Sequence, residues 1–402
     1  MPVTLDDIRA AKDRIAGAVA VSPCPESPAL SDLTGCRVFC KLDSLQRTGS
    51  FKERGARNAL LLLPQEQQKC GVIAASAGNH ALALACHGRG LGIPVTVVMP
   101  RFAPLIKVAT CRRFAANVVL HGSDFAEAKA KADELASAHG LTYIHGYDDP
   151  AVIAGQGTIG LELLEQVPGL EAVVVPVGGA GLIAGIALAI KSLQPTVQII
   201  GVEDEVMPSF TCALEAGQSV AVPARPTLAD GLATTRVGVN ALAIAQGRVD
   251  RAVTVSEELI ALSILRLIEL EKSVVEGAAA APLAALLSGK LPELRGKCVA
   301  LILAGGNIDP LILGRVIDVG MAADGRLARL VATISDRPGG LAHLARVVAE
   351  SGASIQQITH DRVFSGPDVS SVRVICDVET RDRNHLDELR AALQRSGIEL
   401  RT

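Results

Sequence analysis

The chain has 402 residues, of which 49% are hydrophobic and 20% charged, and its formal net charge is −3. This length and composition predict two or three packed domains and exclude a disordered chain. There is no Trp and no basic run, so we expect no nucleic-acid partner. No stretch reaches the uncharged length of a membrane span, so we expect no membrane partner. The nine cysteines form no Cys-x-x-Cys pair, and their odd number and apolar settings are typical of reduced, buried thiols in a cytoplasmic protein.

Short β-rich runs alternate with amphipathic helical runs from about Val38 to Val319. Alternation of this kind predicts an α/β fold in which helices cover both faces of parallel sheets. Ligands of such sheets bind beyond the carboxyl ends of the strands, so the loops that follow the strands are the candidate sites. Ser256 is the expected N-cap of one helix, over residues 257–271. The predicted strands include residues 71–75, 94–99, 172–177, 197–202 and 298–303.

The composition changes at a short polar linker, residues 321–327. The predicted elements of residues 328–402 follow the order β-α-β-β-α-β, which is a ferredoxin-like α+β unit. Its third strand is expected over residues 369–378, because apolar and polar residues alternate there. The first strand of the unit is followed by a turn signal formed by Asp336, Arg337, Pro338, Gly339 and Gly340.

Lys52 lies at the predicted start of a helix, directly after Phe51. The positive end of the helix dipole and partial burial beside the aromatic ring both disfavour the charged form of the lysine side chain. A neutral lysine amine is the form that Schiff-base chemistry requires. The same pattern also fits a surface lysine whose stem packs along an aromatic ring, so the rest of the chain must decide between the two interpretations.

Residues 76–80 form a loop between a predicted strand and a helix. Exposed backbone N–H groups at the start of that helix would bind an anion such as a carboxylate. The alternative is an ordinary strand-to-helix turn that is capped by Ser76 or Asn79.

A glycine-rich loop, residues 178–182, also lies between a predicted strand and a helix. Flexible backbone with several N–H donors at a helix start is typical of phosphate binding. The spacing Gly-x-Gly-x-x-Ala from Gly179, with Glu203 after the next strand, also matches part of a dinucleotide-binding fingerprint. The rival hypothesis is therefore an NAD-dependent oxidoreductase. That function would leave the loops that carry Lys52 and Asn79 without a role.

Taken together, these loops resemble those of the fold-type II pyridoxal-phosphate enzymes, specifically the threonine dehydratase (threonine ammonia-lyase) and serine racemase group. The resemblance implies a catalytic domain of two open parallel-sheet α/β subdomains at residues 1–320, with the smaller subdomain inserted at roughly residues 48–150. Residues 328–402 resemble an ACT domain, a small regulatory fold that binds amino acids. The combination of motifs is specific, although each loop alone is not. The matching segments are residues 50–56, 76–80, 153–158, 178–181, 275–277 and 305–307.

The resemblance implies that the site binds pyridoxal 5'-phosphate and an amino-acid substrate. Lys52 would hold the cofactor as a Schiff base and would then remove the α-proton of the substrate. Phe51 would pack beside the cofactor ring, and Asn79 would form a hydrogen bond with its phenolic oxygen. The cofactor phosphate would be bound by Gly178, Gly179, Ala180, Gly181 and Leu182, and the substrate carboxylate by Ser76, Ala77, Gly78, Asn79 and His80.

Two positions depart from the usual pattern of the group. Members usually place Ser, Thr or Cys against the ring nitrogen of the cofactor, whereas this chain has Ala304. Ala304 offers no hydrogen-bond partner, so we expect a weaker electron sink and a slower reaction. Racemases of the group carry a serine after the Ser76 position, whereas this chain has Ala77. Racemisation needs a second acid–base group across the ring plane, so Ala77 favours dehydration.

The chain has only one of the two acids that form a cation site in some members of the group. Some racemase-like members bind Mg²⁺ or Ca²⁺ through an acid after the strand at residues 197–202 and a second acid six positions later. Glu203 fits the first position and Ser209 does not fit the second. We therefore expect a solvated acidic turn at residues 203–205 and no metal.

These features predict an L-threonine dehydratase that also acts on L-serine and releases 2-oxobutanoate or pyruvate with ammonia. The alternatives with the same fold are a serine racemase and a 3-hydroxyaspartate dehydratase. A non-enzymatic amino-acid-sensing protein is a third alternative, which only Ala304 indicates. We further expect a homo-oligomer, a dimer or a tetramer, and control by isoleucine or valine bound at residues 336–340. A tail that serves only for dimerisation is the alternative to this control.

Overall fold

The computed structural model describes residues 3–361 and 370–401. Its contacts divide the chain into two compact units, Met1–Asp309 and Pro310–Thr402.

The first unit alternates strands and helices along its whole length. Its strands are β1 (Arg37–Lys41), β2 (Val72–Ala75), β3 (Val95–Met99), β4 (Asn117–Leu120), β5 (Thr142–Tyr143), β6 (Ala172–Pro176), β7 (Gln198–Asp204), β8 (Arg251–Val255) and β9 (Cys298–Ile302). Its helices are α1 (Leu5–Ile15), α2 (Pro28–Thr34), α3 (Lys52–Leu62), α4 (Gln65–Cys70), α5 (Asn79–Leu91), α6 (Leu105–Arg113), α7 (Phe125–His139), α8 (Pro150–Gln166), α9 (Gly181–Leu193), α10 (Ser209–Ala216), α11 (Val239–Ala245), α12 (Glu257–Glu271) and α13 (Gly277–Leu287).

The strands of this unit form two separate parallel sheets. The larger sheet has the order β1-β9-β6-β7-β8, and the smaller has the order β4-β3-β2-β5. All of their strand pairs are parallel. The predicted α/β architecture with two parallel-sheet parts is therefore confirmed.

Burial on both faces explains why the sequences of these strands are continuously apolar. Every residue of β6 and β9 is buried, because helices cover both faces of a parallel sheet. Helix α9 is buried from Gly181 to Ile190, which fits its almost uniformly apolar sequence. Ser256 caps α12 as predicted, because its hydroxyl accepts a hydrogen bond from the N–H of Leu259. The loops that follow β2, β6 and β9 leave the carboxyl ends of their strands and carry the candidate site residues.

The described part of the second unit contains an antiparallel sheet and three helices, and its elements from β10 onward follow the predicted β-α-β-β-α-β order. Its elements are α14 (Pro310–Ala323), β10 (Leu327–Ser335), α15 (Gly340–Glu350), β11 (Ser354–Asp361), β12 (Ser371–Glu379), α16 (Arg383–Arg395) and β13 (Glu399–Arg401). The strand order is β11-β12-β10-β13. Alternate residues of β12 are buried, from Val372 to Val378, and they pack in one core with Leu344 and Leu389. Position 369, the expected start of this strand, lies outside the described residues.

Two sequence expectations need adjustment. Helix α14 extends to Ala323, so the first three residues of the expected linker are helical. The nine cysteines are unpaired, as predicted, but Cys70 is exposed and Cys24 and Cys212 are only partly buried. Among the described residues, no helix combines the length and the apolarity that crossing a membrane would require.

Candidate active site

Lys52 is held at the start of α3 by contacts with the loop that follows β9. The backbone N–H of Phe51 donates to the carbonyl oxygen of Ala304 at 2.9 Å, and Ser50 forms an isolated antiparallel bridge with Gly305. The chain therefore enters α3 from a fixed point at the carboxyl edge of the larger sheet. Lys52 is the first helical residue after that point.

Lys52 is partly buried, and burial is the main influence on its amine. Its Nζ donates a 2.7 Å hydrogen bond to the carbonyl oxygen of Gly146 and lies 5.0 Å from the centroid of the Phe51 ring. Burial lowers the pKa of this amine to about 8, and the nearby Glu276 opposes that shift. The sequence interpretation of a lysine that is easily made neutral therefore fits this geometry better than a solvated surface lysine.

A buried cluster of four charged side chains anchors the same helix. Arg54, two residues after Lys52, pairs with Asp43 at 2.7 Å and with Glu162 at 2.6 Å. Lys41 pairs with the same Glu162 at 2.6 Å. The two cations balance the two anions, and each of the four side chains is at most 4% exposed. The cluster ties α3 to β1 and α8, so it restricts movement of the Lys52 backbone.

Asn79 begins α5 at the loop after β2, and its side chain joins two other loops. Its Nδ2 donates to Oε1 of Glu276 at 2.8 Å, and its Oδ1 accepts from Nδ2 of Asn307 at 2.8 Å. Burial is the main cause that raises the pKa of Glu276 to about 7, with the charge of Asp230 adding to it. Asn79 is thus held between the residue before α13 and the loop after β9.

The other residues of the predicted carboxylate loop have distinct surroundings. A Cβ atom added at Gly78 would meet no atom within 4 Å, so the backbone there borders open space. The first hydrogen bond of α5 is donated by Leu82 to the carbonyl of Gly78, which leaves earlier N–H groups of the helix for an anion. Ser76 accepts from the N–H of Gly78 at 3.3 Å.

The side chain of His80 points beneath the Gly146 loop. Its Nε2 lies 3.0 Å from the carbonyl oxygen of Ile144, which can only accept, so Nε2 carries the proton. Burial, helped by the charge of Lys52, lowers the pKa of His80 to about 3, so the ring is neutral. A Cβ atom added at Gly146 would lie 3.1 Å from the His80 ring, so His80 supports the residue that accepts from Lys52.

The glycine loop after β6 has the geometry of an anion-binding helix start. Ala180 has a φ of 69°, and its carbonyl accepts the first hydrogen bond of α9, from Ala184 at 2.9 Å. The N–H groups of Gly181, Leu182 and Ile183 precede that bond, so they are available to an anion. Together with a desolvated lysine amine, these donors fit a phosphate-bearing aldehyde such as pyridoxal phosphate.

Tyr147 closes one side of the glycine loop. A Cβ atom added at Gly179 would collide with the Tyr147 ring, and one at Gly181 would collide with the Tyr147 backbone carbonyl. The Tyr147 hydroxyl donates to the carbonyl of Arg236 at 3.2 Å. Gly146 and Tyr147 are adjacent, so one short segment contacts both the amine of Lys52 and the glycine loop.

The sequence motifs indicate no role for Glu276, Gly146 or Tyr147. Glu276 was part of a matching motif, residues 275–277, but its partner Asn79 is 197 positions away. Gly146 and Tyr147 lie three and two residues before Asp149, the acidic N-cap of α8. The sequence signal of that helix start could have identified the segment.

The prediction of a solvated acidic turn at residues 203–205 is wrong for Glu203 and Asp204, whereas Glu205 is exposed in a turn. Glu203 and Asp204 are the last residues of β7, and both are 1% exposed. The carboxylate of Glu203 accepts from the N–H groups of Phe210 and Thr211, at 2.6 and 2.8 Å, and so caps α10. Burial raises its pKa to about 7. Among the described residues, no group of three or more His, Cys, Asp or Glu is arranged to hold a metal ion.

The chain is similar to known proteins over most of its length. The family model described as pyridoxal-phosphate dependent enzyme matches residues 15–305. The L-threonine ammonia-lyase of Thermotoga maritima is 43% identical over 399 residues, which cover 99% of each chain. The processed form of threonine deaminase isoform 2 from Solanum lycopersicum has a TM-score of 0.74 at 36% identity, covering 79% of this chain and 90% of that chain. Maize serine racemase has a TM-score of 0.76 at 32% identity, covering 78% and 97%.

Proposed function

The chain belongs to the pyridoxal-phosphate-dependent enzyme family, and we propose that it converts L-threonine to 2-oxobutanoate and ammonia, with L-serine as a second substrate. Pyridoxal phosphate is the cofactor of the family. The observation that carries the proposal is the position of Lys52, whose desolvated amine lies 2.7 Å from the Gly146 carbonyl at the edge where the candidate loops meet. The full-length similarity to an L-threonine ammonia-lyase supports the choice of substrate.

The residues of the site have separate tasks in this reaction. When bound, the cofactor supplies the electron sink that makes the substrate α-proton removable. Lys52 would hold the cofactor through its amine and would then take the α-proton as a base. The N–H groups at the start of α9 would bind the phosphate, those at the start of α5 would bind the substrate carboxylate, and Asn79 would orient the ring. The β-hydroxyl leaves as water, and hydrolysis then consumes one water and releases ammonia.

Ala77 distinguishes dehydration from racemisation in this proposal. A racemase needs a second acid–base group on the opposite face of the substrate. The methyl group of Ala77 cannot donate or accept a proton, and it is partly buried against the core of the smaller sheet. A solved serine racemase shares the fold, so the fold alone does not separate the two reactions.

Trapping of the cofactor tests the assignment directly. We expect the purified protein to be yellow, borohydride to attach the cofactor irreversibly to Lys52, and Lys52→Ala to abolish release of 2-oxobutanoate from threonine. Lys69→Ala, at an exposed lysine of α4, is the matched control and should preserve both properties. Release of 2-oxobutanoate by Lys52→Ala at the normal rate would refute the mechanism. Production of D-allothreonine from L-threonine, or of D-serine from L-serine, instead of an oxo acid would favour the racemase.

We also propose that catalysis resides in residues 1–320 and that the βαββαβ unit, residues 328–402, is an ACT domain that binds isoleucine or valine. The exposed turn after β10 has a backbone conformation that requires glycine at two positions. Gly339 has a φ of 98°, and a Cβ atom added at Gly340 would collide with the carbonyl of Ser335. The N–H of Gly340 donates to the carbonyl of Arg337, and that of His343 makes the first helical bond, to Gly339. The N–H groups of Leu341 and Ala342 lie between these two and would be the donors to a carboxylate.

Titration of the full-length enzyme tests this regulatory role. We expect isoleucine or valine to shift the threonine concentration that gives half-maximal rate, and Arg337→Ala, in the exposed turn, to weaken that shift. Arg395→Ala, at an exposed position of α16, is the control and should leave the shift intact. If neither amino acid changes the concentration dependence of the unmodified enzyme, the tail is a dimerisation unit.

We further propose that the enzyme is a cytoplasmic homo-oligomer, a dimer or a tetramer. Unpaired cysteines fit a reducing compartment. Phe102, Leu105 and Ile106 are 85%, 85% and 60% exposed, and such a group of apolar side chains suits a subunit contact. Light scattering should give two or four times the 41.6 kDa mass of the chain, and a mass of one chain would refute the oligomer. Cell fractionation checks the location.

A further inference from the structure

The orientation of the Asn307 side-chain amide is determined by a backbone carbonyl. Its Nδ2 donates to the carbonyl oxygen of Thr48 at 2.7 Å and to Oδ1 of Asn79 at 2.8 Å. A backbone carbonyl can only accept, so the Asn307 atom that faces Thr48 must be the amide nitrogen. The same nitrogen faces Asn79, which must therefore present its oxygen.

The other end of the Asn79 amide faces a carboxyl group. Its Nδ2 donates to Oε1 of Glu276 at 2.8 Å. Asn79 is thus restrained at both ends, with the oxygen towards Asn307 and the nitrogen towards Glu276. The amide nitrogen carries two hydrogens and Glu276 takes one, so the second hydrogen is available to a ligand.

Close packing keeps the two restraining residues in place. The backbone N–H of Glu276 donates to the carbonyl of Gly305 at 3.0 Å, and a Cβ atom added at Gly305 would collide with the Glu276 carboxyl group. A Cβ atom added at Gly49 would likewise collide with the Asn307 side-chain amide. Glycines at both positions therefore let the backbone approach closely enough to prevent either side chain from turning away.

We propose that Glu276 and Asn307 are positioning residues that fix Asn79 as a hydrogen-bond donor towards the phenolic oxygen of the cofactor. This inference rests on the proposed function, because it takes the cofactor ring to lie in front of Asn79. A donor stabilises the ionised phenolic oxygen. The reversed amide would turn its own oxygen towards that negative charge and would destabilise it.

The pH dependence of the visible absorption band of the bound cofactor reports this interaction. Glu276→Gln removes the charge but keeps an acceptor for Asn79, whereas Glu276→Ala removes both. The difference between these two variants therefore isolates the orientation of Asn79 from the loss of a nearby charge. We expect the midpoint of Glu276→Ala to lie about 0.5 to 1 pH unit above that of Glu276→Gln, the size expected for one lost hydrogen bond.

A double-mutant comparison decides whether Glu276 acts through Asn79. We expect the difference between the two Glu276 variants to vanish when each is combined with Asn79→Ala. Asn307→Ala is an independent variant for the case that Glu276→Ala does not fold. The shift in midpoint that Asn307→Ala causes should vanish when it is combined with Asn79→Ala.

Three results would speak against these assignments. Equal midpoints for Glu276→Gln and Glu276→Ala would overturn the positioning role of Glu276. A difference that persists in the Asn79→Ala background would show that Glu276 acts directly and would also overturn it. An unmodified protein that binds pyridoxal phosphate without any visible band would instead refute the proposed function, together with the inference that rests on it.

Discussion

The side-chain nitrogen of Asn79 donates a 2.8 Å hydrogen bond to the carboxyl group of Glu276, although 197 positions separate the two residues in the chain. The bond joins the smaller sheet, from whose β2 the Asn79 loop leaves, to α13 beside the larger sheet. Lys52 lies close enough to Glu276 for the two charges to influence each other's pKa. The two parts of the first unit thus meet at the site.

The lowered pKa of Lys52 predicts how the cofactor-free enzyme takes up pyridoxal phosphate. An amine with a pKa of about 8 has a roughly 300-fold larger neutral fraction at pH 7 than an ordinary lysine with a pKa of 10.5. Only the neutral amine attacks the aldehyde, so the loading rate should rise with pH and level off above about pH 8. Stopped-flow absorbance at saturating cofactor measures this rate.

Stability of the cofactor-free enzyme provides an independent check on the same pKa. The folded pKa lies below the unfolded one, so the unfolded chain binds more protons between about pH 8 and 10.5. Lys52 should therefore make the free energy of unfolding rise across that window, and Lys52→Met should remove the rise. A loading rate that keeps increasing to pH 10 would contradict the assigned pKa.

Arg54→Ala should strongly destabilise the fold. The change leaves Asp43 buried without its cation and Glu162 with Lys41 alone. Removing one partner of a buried ion pair costs about 3 to 5 kcal/mol. Urea unfolding monitored by circular dichroism measures the loss. Arg9→Ala removes an arginine from an exposed pair with Asp6 and should change the stability little, so comparable losses in the two variants would contradict the role of burial.

Gly179→Ala should weaken cofactor binding. The added methyl group would occupy the space of the Tyr147 ring, so either the ring or the glycine loop must move. We expect at least about a tenfold loss of affinity, which corresponds to about 1.4 kcal/mol, a modest value for an overpacked contact. Equilibrium titration of the visible band measures the affinity. Gly90→Ala adds a methyl group in open space on α5 and should bind the cofactor normally.

Ala304→Ser should raise the turnover number. Ala304 is 2% exposed and provides no polar side-chain atom, whereas the resemblance to the threonine dehydratase group implies Ser, Thr or Cys at this position. A hydroxyl at this position could form a hydrogen bond with the ring nitrogen, worth about 1 kcal/mol, which would increase the rate by up to about fivefold. Steady-state release of 2-oxobutanoate measures the effect. Ala304→Val adds bulk without polarity and should not raise the rate.

Particular residues show how far the sequence could predict this site. The loops with Lys52, Asn79 and the glycines follow strands of parallel sheets, so the α/β pattern alone indicated that they would lie at strand ends. Glu203 was predicted wrongly because its burial depends on the packing of α10 against the end of β7. The placement of His80 beneath Gly146 likewise depends on a segment that lies 66 positions later in the chain.

The sequence by itself determined the alternation of strands and helices, the division into parallel sheets and one antiparallel sheet, and the loops that carry reactive residues. These features depend on the periodicity of apolar residues and on glycine placement, which are local properties of the chain. Only the tertiary structure decided that Gly146 accepts from Lys52, that Tyr147 covers the glycine loop and that Asn307 and Glu276 orient Asn79. Such contacts arise when packing brings distant loops to one edge, where the directions of donors and acceptors select the partners.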